Sequence, residues 1–182
     1  MRTWFLEQLA MYAAYHRDGR NQATHHIGVP LIVYSLLVAA SQLHLGTVPG
    51  LGAPGFGDPM ALSLGSFLVV LMVAFYLSNV LSIGLIAALI YGVLYALAET
   101  VGQGPDVWMT FSICFVGGWV IQFIGHVFEG RRPALFTNAT QVFMAPPFLI
   151  AEILFAMGLE KDLKTEIMAR SVKYNAHPQA AP

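Results

Sequence analysis

The chain has 182 residues, enough for one domain, with 57% apolar and 10% charged side chains and a formal net charge of −1. Charged residues make up about a quarter of a typical soluble protein, so this chain cannot cover a water-facing surface and reads as an integral membrane protein. The near-zero charge leaves no basic footprint for nucleic acid, and the single cysteine, Cys114, excludes intrachain disulfides and thiolate zinc clusters.

In chain order, the first turns do not read as a cleaved signal peptide, because Arg2 and Glu7 interrupt them before any long apolar run. Trp4, Phe5, Leu9, Tyr12 and Tyr15 recur near helical spacing. That pattern predicts an amphipathic helix lying in the membrane interface or, equally, a cap helix packed on the bundle. Four stretches then match the length of a membrane crossing, about 20 apolar residues: Ile27–Leu45, Ala61–Leu77, Val80–Ala98 and Val107–Gly125. Between them lie a Gly- and Pro-rich connection at Gly46–Pro59, a tight hairpin at Ser78-Asn79 and a short acidic loop at Glu99–Asp106.

A fifth apolar stretch, Val142–Leu159, carries Pro146-Pro147 near its start. Proline inside a helix removes a hydrogen bond and kinks the chain, and the part beyond, about 18 Å of helix, is too short for one crossing. The distribution of basic residues points the same way. No Lys or Arg occurs from Asn21 to Gly130, and all nine (Arg2, Arg17, Arg20, Arg131, Arg132, Lys161, Lys164, Arg170 and Lys173) fall on one side of a four-span arrangement. The positive-inside rule makes that side cytoplasmic, and a full fifth crossing would strand the last four outside. Val142–Leu159 is therefore expected to be re-entrant or interfacial.

The expected fold is all-α: a multi-pass transmembrane bundle of about four spans, with an N-terminal amphipathic helix and a re-entrant or interfacial C-terminal segment. It forms a single membrane domain over residues 1–182. Residues 1–26 hold the interfacial helix and first histidine cluster, and 27–125 the spans. Residues 126–175 hold the second histidine cluster, the re-entrant segment and a basic tail helix, and 176–182 a disordered tail.

An even number of crossings returns the two histidine clusters to one side. The first contains His16, Asn21, His25 and His26; the second contains Gln122, His126, Glu129, Arg131 and Arg132. Asp18-Gly19 is a turn signal, and Asn21 is a candidate cap for a new helix running into the first span. A bend there brings His16 back towards His25 or His26, only one of which can face a given centre, since helical neighbours are about 100° apart. Gln122, His126 and Glu129 share one face of the fourth span. Imidazole with carboxylate is the ligand set of non-haem iron, with zinc open on ligand type alone, and a guanidinium from Arg131 or Arg132 suits a carboxylate. Each residue also has a plainer role. Single histidines near helix ends more often make interfacial hydrogen bonds, the arginines serve as topogenic anchors, and Gln122 and Glu152 are bundle hydrogen-bonders or site lining. His44 and His177 lie outside the clusters.

Two blocks carry a family resemblance. Tyr15-His16-x4-Asn21-x3-His25-x4-Pro30 is the first. The second is Gly118-Trp119-x2-Gln122-Phe123-x-Gly125-His126 with Phe128-Glu129-x-Arg131-Arg132-Pro133-Ala134-Leu135. Together they resemble the fungal 2-hydroxy fatty acid dioxygenase family, small multi-pass membrane proteins of the endoplasmic reticulum in eukaryotes. The resemblance implies Fe²⁺-dependent α-oxidation, in which a 2-hydroxy fatty acid and O₂ give the one-carbon-shorter fatty acid and CO₂. It places metal ligands at His16, His25 and His126, whereas His26 has no counterpart in the pattern. Asn21, Glu129, Arg131 and Arg132 are the remaining candidate catalytic residues. The substrate would supply the electrons, and its acyl chain would lie in the bilayer, each buried CH₂ contributing about 0.8 kcal/mol. The membrane would be a bacterial inner membrane or the endoplasmic reticulum, with termini and site cytoplasmic.

Two rivals are weaker. A di-iron membrane hydroxylase needs more histidines than the five outside the tail, one of which lies on the far side. A transporter or channel needs polar residues deep in the spans, and the second and third offer little beyond Ser and Tyr.

Overall fold

In the computed structural model, residues 2–48, 60–130 and 140–175 are described. Their apolar patterns form seven helices and one hairpin: α1 (Arg2–Tyr15), α2 (Gly19–Ala40), β1 (His44–Val48), β2 (Met60–Ser63), α3 (Leu64–Asn79), α4 (Leu81–Gly102), α5 (Val107–Glu129), α6 (Gln141–Ala156) and α7 (Lys161–Asn175). The all-α class holds. Three helices, α2, α4 and α5, are long and apolar enough to cross a membrane, while α3 and α6 are apolar but shorter. At 16 residues α3 spans about 24 Å, less than the second predicted span, because its start at Ala61 is taken up by β2.

The described residues fall into two compact units, 1–29 with 120–182 and 30–119. In the second unit, α3 and α4 form an antiparallel pair turning at Val80, whose N–H closes on the Tyr76 carbonyl at 2.9 Å. Their close approach needs Gly84: a Cβ there would sit 2.5 Å from the Leu77 backbone nitrogen. Leu37, Val38, Ala98 and Val107 form a buried cluster in this unit. The other faces stay apolar and open, with Val70, Leu81, Leu89 and Ile113 all more than 60% exposed. Such a surface suits lipid rather than water.

Four local expectations shift. Helix α2 begins eight residues before the predicted span because hydropathy marks membrane depth rather than helix start. Asp18, not Asn21, caps it, with Oδ1 accepting the Arg20 N–H at 2.8 Å. Glu99 is not in a loop; α4 continues through it, and its buried carboxylate accepts a hydrogen bond from the Ser63 hydroxyl, tying α4 to the start of α3. The β1–β2 hairpin, with Val48 opposite Met60 and His44 opposite Ser63, was not expected from the Gly- and Pro-rich connection.

The first unit is built on α1, α6 and α7. Phe5, Leu6 and Leu9 of α1, Met144 and Phe148 of α6 and Ile167 of α7 are at most 2% exposed and supply its core. Helix α1 buries this face against α6 and α7. Helix α6 runs through Pro146-Pro147 without a break. Both prolines are buried in its second turn, so packing offsets the two lost backbone bonds. Gln141 in that first turn is buried and donates to Gln8 Oε1 at 2.9 Å, which satisfies two polar groups inside an apolar core. At the adjacent position of α1, Glu7 accepts from Arg170, Lys173 and Tyr174 of α7. These partners hold its carboxyl below the usual range, Lys173 most strongly.

Candidate metal centre

Three histidines from three segments of the first unit meet. His16 directly follows α1, His25 lies in the second turn of α2, and His126 lies in the last turn of α5. Their ring centroids are 4.7 Å (His16–His25), 5.0 Å (His25–His126) and 5.4 Å (His16–His126) apart. Each ring offers a nitrogen within 4.8 Å of the others', and the three residues are 3%, 3% and 9% exposed.

Two of the rings have a defined tautomer. His16 Nδ1 donates to the Tyr12 carbonyl and His25 Nδ1 to the Asn21 carbonyl, both at 2.9 Å. A carbonyl only accepts, so the proton sits on Nδ1 and Nε2 keeps its lone pair. Tyr12 also stacks on His16, with centroids 3.9 Å apart and planes within 6°, and Phe148 lies against the same tyrosine at 4.9 Å. Burial, then the neighbouring His25, pushes the His16 pKa down to about 3. The ring is therefore neutral at physiological pH and available as a ligand. His126 Nδ1 is buried with no hydrogen-bond partner, a costly state for an imidazole nitrogen.

These features fit a metal ion. Neutral imidazoles with lone pairs converging and no donor between them gain most from a cation. Three nitrogens each about 2.1 Å from one ion would lie about 3.4–3.6 Å from one another. A pair at the 4.8 Å limit would therefore close by a little over an ångström, roughly the difference from that spacing.

Close helix contact makes the convergence possible. Thr24 and Asn21 of α2 lie against Gly125 of α5, where a Cβ would come within 2.0 Å of Thr24 Oγ1 and 2.5 Å of Asn21 Oδ1. The residue next to His126 thus has no room for a side chain.

The other sequence candidates are arranged around this cluster. Asn21 is fully buried, and its carbonyl serves His25 while its amide donates to Glu129 Oε2 at 3.0 Å. Glu129 does not join the histidine nitrogens. Its two oxygens accept the backbone N–H of Arg17 at 3.0 Å and of Asp18 at 2.9 Å, besides the Asn21 amide. His26 is not in the cluster; its Nε2 lies 3.4 Å from Glu152 Oε2 on α6. Gln122 is buried one turn before His126. Arg131 and Arg132 lie outside the described residues. Sequence reasoning missed Tyr12 as a site residue, although its place four residues before His16 puts it on the same helical face, and it missed the crowding at Gly125.

The fold and this cluster define a membrane protein carrying a buried three-histidine site able to hold a metal. The family described as 2-hydroxy-palmitic acid dioxygenase Mpo1-like matches residues 3–157, and the chain belongs to it. The 2-hydroxy-palmitic acid dioxygenase MPO1 of Saccharomyces cerevisiae (strain ATCC 204508 / S288c) is 35% identical over 165 residues, covering 88% of this chain and 85% of the yeast protein. No solved structure matches. The resemblance read from the two histidine blocks is borne out, and the chain is an enzyme of the dioxygenase class.

Proposed function

We propose that this enzyme converts a long-chain 2-hydroxy fatty acid and O₂ to the one-carbon-shorter fatty acid, CO₂ and water, using Fe²⁺ held by His16, His25 and His126. The carrying observation is the convergence of three buried imidazoles, two with Nδ1 fixed on backbone carbonyls, in a chain related to a 2-hydroxy-palmitic acid dioxygenase. In the reaction the C1–C2 bond breaks, C2 rises from alcohol to carboxylic acid, C1 leaves as CO₂ and O₂ takes up four electrons. The substrate supplies all of them, so no second organic reductant is needed. Bound ferrous iron supplies the means of bringing O₂ and the hydroxy acid into electron transfer.

The chain's own part is positioning. Tyr12 and Asn21 carbonyls orient His16 and His25, and three protein nitrogens leave positions free for small ligands. Ile27, Ile124 and Val127, on the helices bearing His25 and His126, are 57%, 47% and 78% exposed and offer apolar surface to an acyl chain. Arg131 and Arg132 follow α5 in sequence and are assigned to the substrate carboxylate, where a charge-assisted hydrogen bond contributes roughly 1.5–3 kcal/mol. His26, paired with Glu152, stands outside the ligand set.

A regiochemical comparison tests this reading. With Fe²⁺ and O₂, a long-chain 2-hydroxy acid should yield the acid shorter by one carbon, and the 3-hydroxy isomer should yield nothing. Moving the hydroxyl one carbon along leaves C2 without the oxygen it needs to become the new carboxyl carbon. Equal turnover of both isomers would overturn it.

The site is assigned to the cytoplasmic face, with α2, α3, α4 and α5 as crossings, because every Lys and Arg lies before Asn21 or after Gly130. In a Cys114→Ser background, an impermeant thiol reagent should label Thr47→Cys in intact cells. It should reach Lys164→Cys only after permeabilisation; labelling of Lys164→Cys from outside would exclude this orientation.

A further inference from the structure

Glu129 ends α5, is partly exposed and makes more polar contacts than any histidine of the cluster, yet none of them is to a histidine. Oε1 accepts from Arg17 N at 3.0 Å, and Oε2 accepts from Arg17 N, Asp18 N and Asn21 Nδ2 at 3.1, 2.9 and 3.0 Å. These donors sit on the segments that carry the ligands. Arg17 is the residue after His16. Asn21 presents its carbonyl to His25 Nδ1. Glu129 itself follows His126 by less than one helical turn. One carboxylate therefore joins the turn bearing His16, the first turn of the helix bearing His25 and the end of the helix bearing His126.

We infer that Glu129 is a positioning residue for the three-histidine site: its carboxylate gathers the three ligand-bearing segments and sets the metal affinity without contacting the metal. This rests on the proposed metal role of the histidines. The geometry also explains why a carboxylate is needed at this place. Three N–H groups from two segments point at one spot, and only an acceptor-only side chain with two oxygens can satisfy them all. Gln keeps one acceptor oxygen and directs its amide N–H groups against backbone N–H donors. Asp is shorter by a methylene and does not reach. The turn between α1 and α2 and the end of α5 are thereby locked together at the point where three ligands must share one centre. Partners standing behind metal ligands are typically worth 10–100-fold in affinity when removed, and Glu129 acts on all three segments at once.

The test is Co²⁺ binding to full-length detergent-solubilised protein, followed by the visible absorption of the bound ion, with thermal unfolding of the metal-free protein measured alongside. Wild type and the distant control His44→Ala should bind alike. Glu129→Gln should weaken Co²⁺ about tenfold and alter its absorption, and Glu129→Ala should weaken it further. The metal-free melting temperature should move far less than the affinity. Wild-type affinity and absorption in both variants would overturn the inference. Absence of Co²⁺ binding by the wild type would instead remove the metal reading beneath it. If Glu129→Ala fails to fold, hydrogen exchange on the wild type decides. The Arg17 and Asp18 amides, in an otherwise solvent-facing turn, should exchange slowly and slow further on Co²⁺ binding. Exchange at the rate of free amides, unchanged by metal, would likewise overturn it.

Discussion

His126→Ala should leave the protein folded in the membrane and without metal, and its oxidation of 2-hydroxy acids should fall by more than about a hundredfold. Removing residues behind a metal ligand typically costs 10–100-fold, so removal of a ligand should exceed that range. His16→Ala and His25→Ala should behave alike, because each takes one of three nitrogens from the same centre. The fold should survive, since the His126 ring leaves a buried nitrogen unpaired and contributes little to stability in the metal-free state. His44→Ala, on the exposed β1 strand, should keep both metal and activity. Metal analysis of the purified variants checks this, and equal metal in His126→Ala and His44→Ala would remove the assigned site.

Gly125→Val should act through packing rather than chemistry. Its Cβ alone would lie 2.0 Å from Thr24 Oγ1, 2.5 Å from Asn21 Oδ1 and 3.2 Å from Thr24 Cβ. The Thr24 hydroxyl is held by the Asn21 carbonyl at 2.7 Å, so it cannot move without disturbing the carbonyl that orients His25. Overpacking of this kind costs about 1–3 kcal/mol, a large share of a stability of about 5–15 kcal/mol. The expected result is a melting temperature lowered by several degrees together with weakened metal binding. Combining Gly125→Ala with Thr24→Ala should recover part of the loss of Gly125→Ala alone, because it removes the nearer of the two oxygens in the way. Unfolding curves of the single and double variants check this, and an unchanged melting temperature for Gly125→Val would refute the close crossing.

The helices were legible because the spans carry a hydropathy signal that needs no partner. Their ends were less so: α2 starts at Gly19 because Asp18 caps it, a local hydrogen-bonding event that hydropathy does not register. The β1–β2 hairpin is two short strands satisfying each other's backbone, with almost no periodicity to read. Of the site, the meeting of His16, His25 and His126 could be argued from topology, since an even number of crossings returns both clusters to one side. The choice between His25 and His26 could not, because neighbours on a helix differ only in direction. That direction is set by the Gly125 crossing on one side and by Glu152 on the other. The role of Glu129 was hidden for a different reason. A carboxylate three residues after a histidine reads as a ligand, and only the three-dimensional turn shows it occupied by backbone N–H groups.

The most direct measurement uses a long-chain 2-hydroxy acid carrying ¹³C at C1, supplied with O₂ to the Fe²⁺-loaded enzyme without 2-oxoglutarate or any other reductant. One ¹³CO₂ should appear for each O₂ consumed and for each unlabelled, one-carbon-shorter acid formed, and the His126→Ala variant should form none. Retention of ¹³C in the product, or no O₂ uptake with any 2-hydroxy acid of about ten to twenty-six carbons, the range a bilayer-lodged chain can present, would contradict the account.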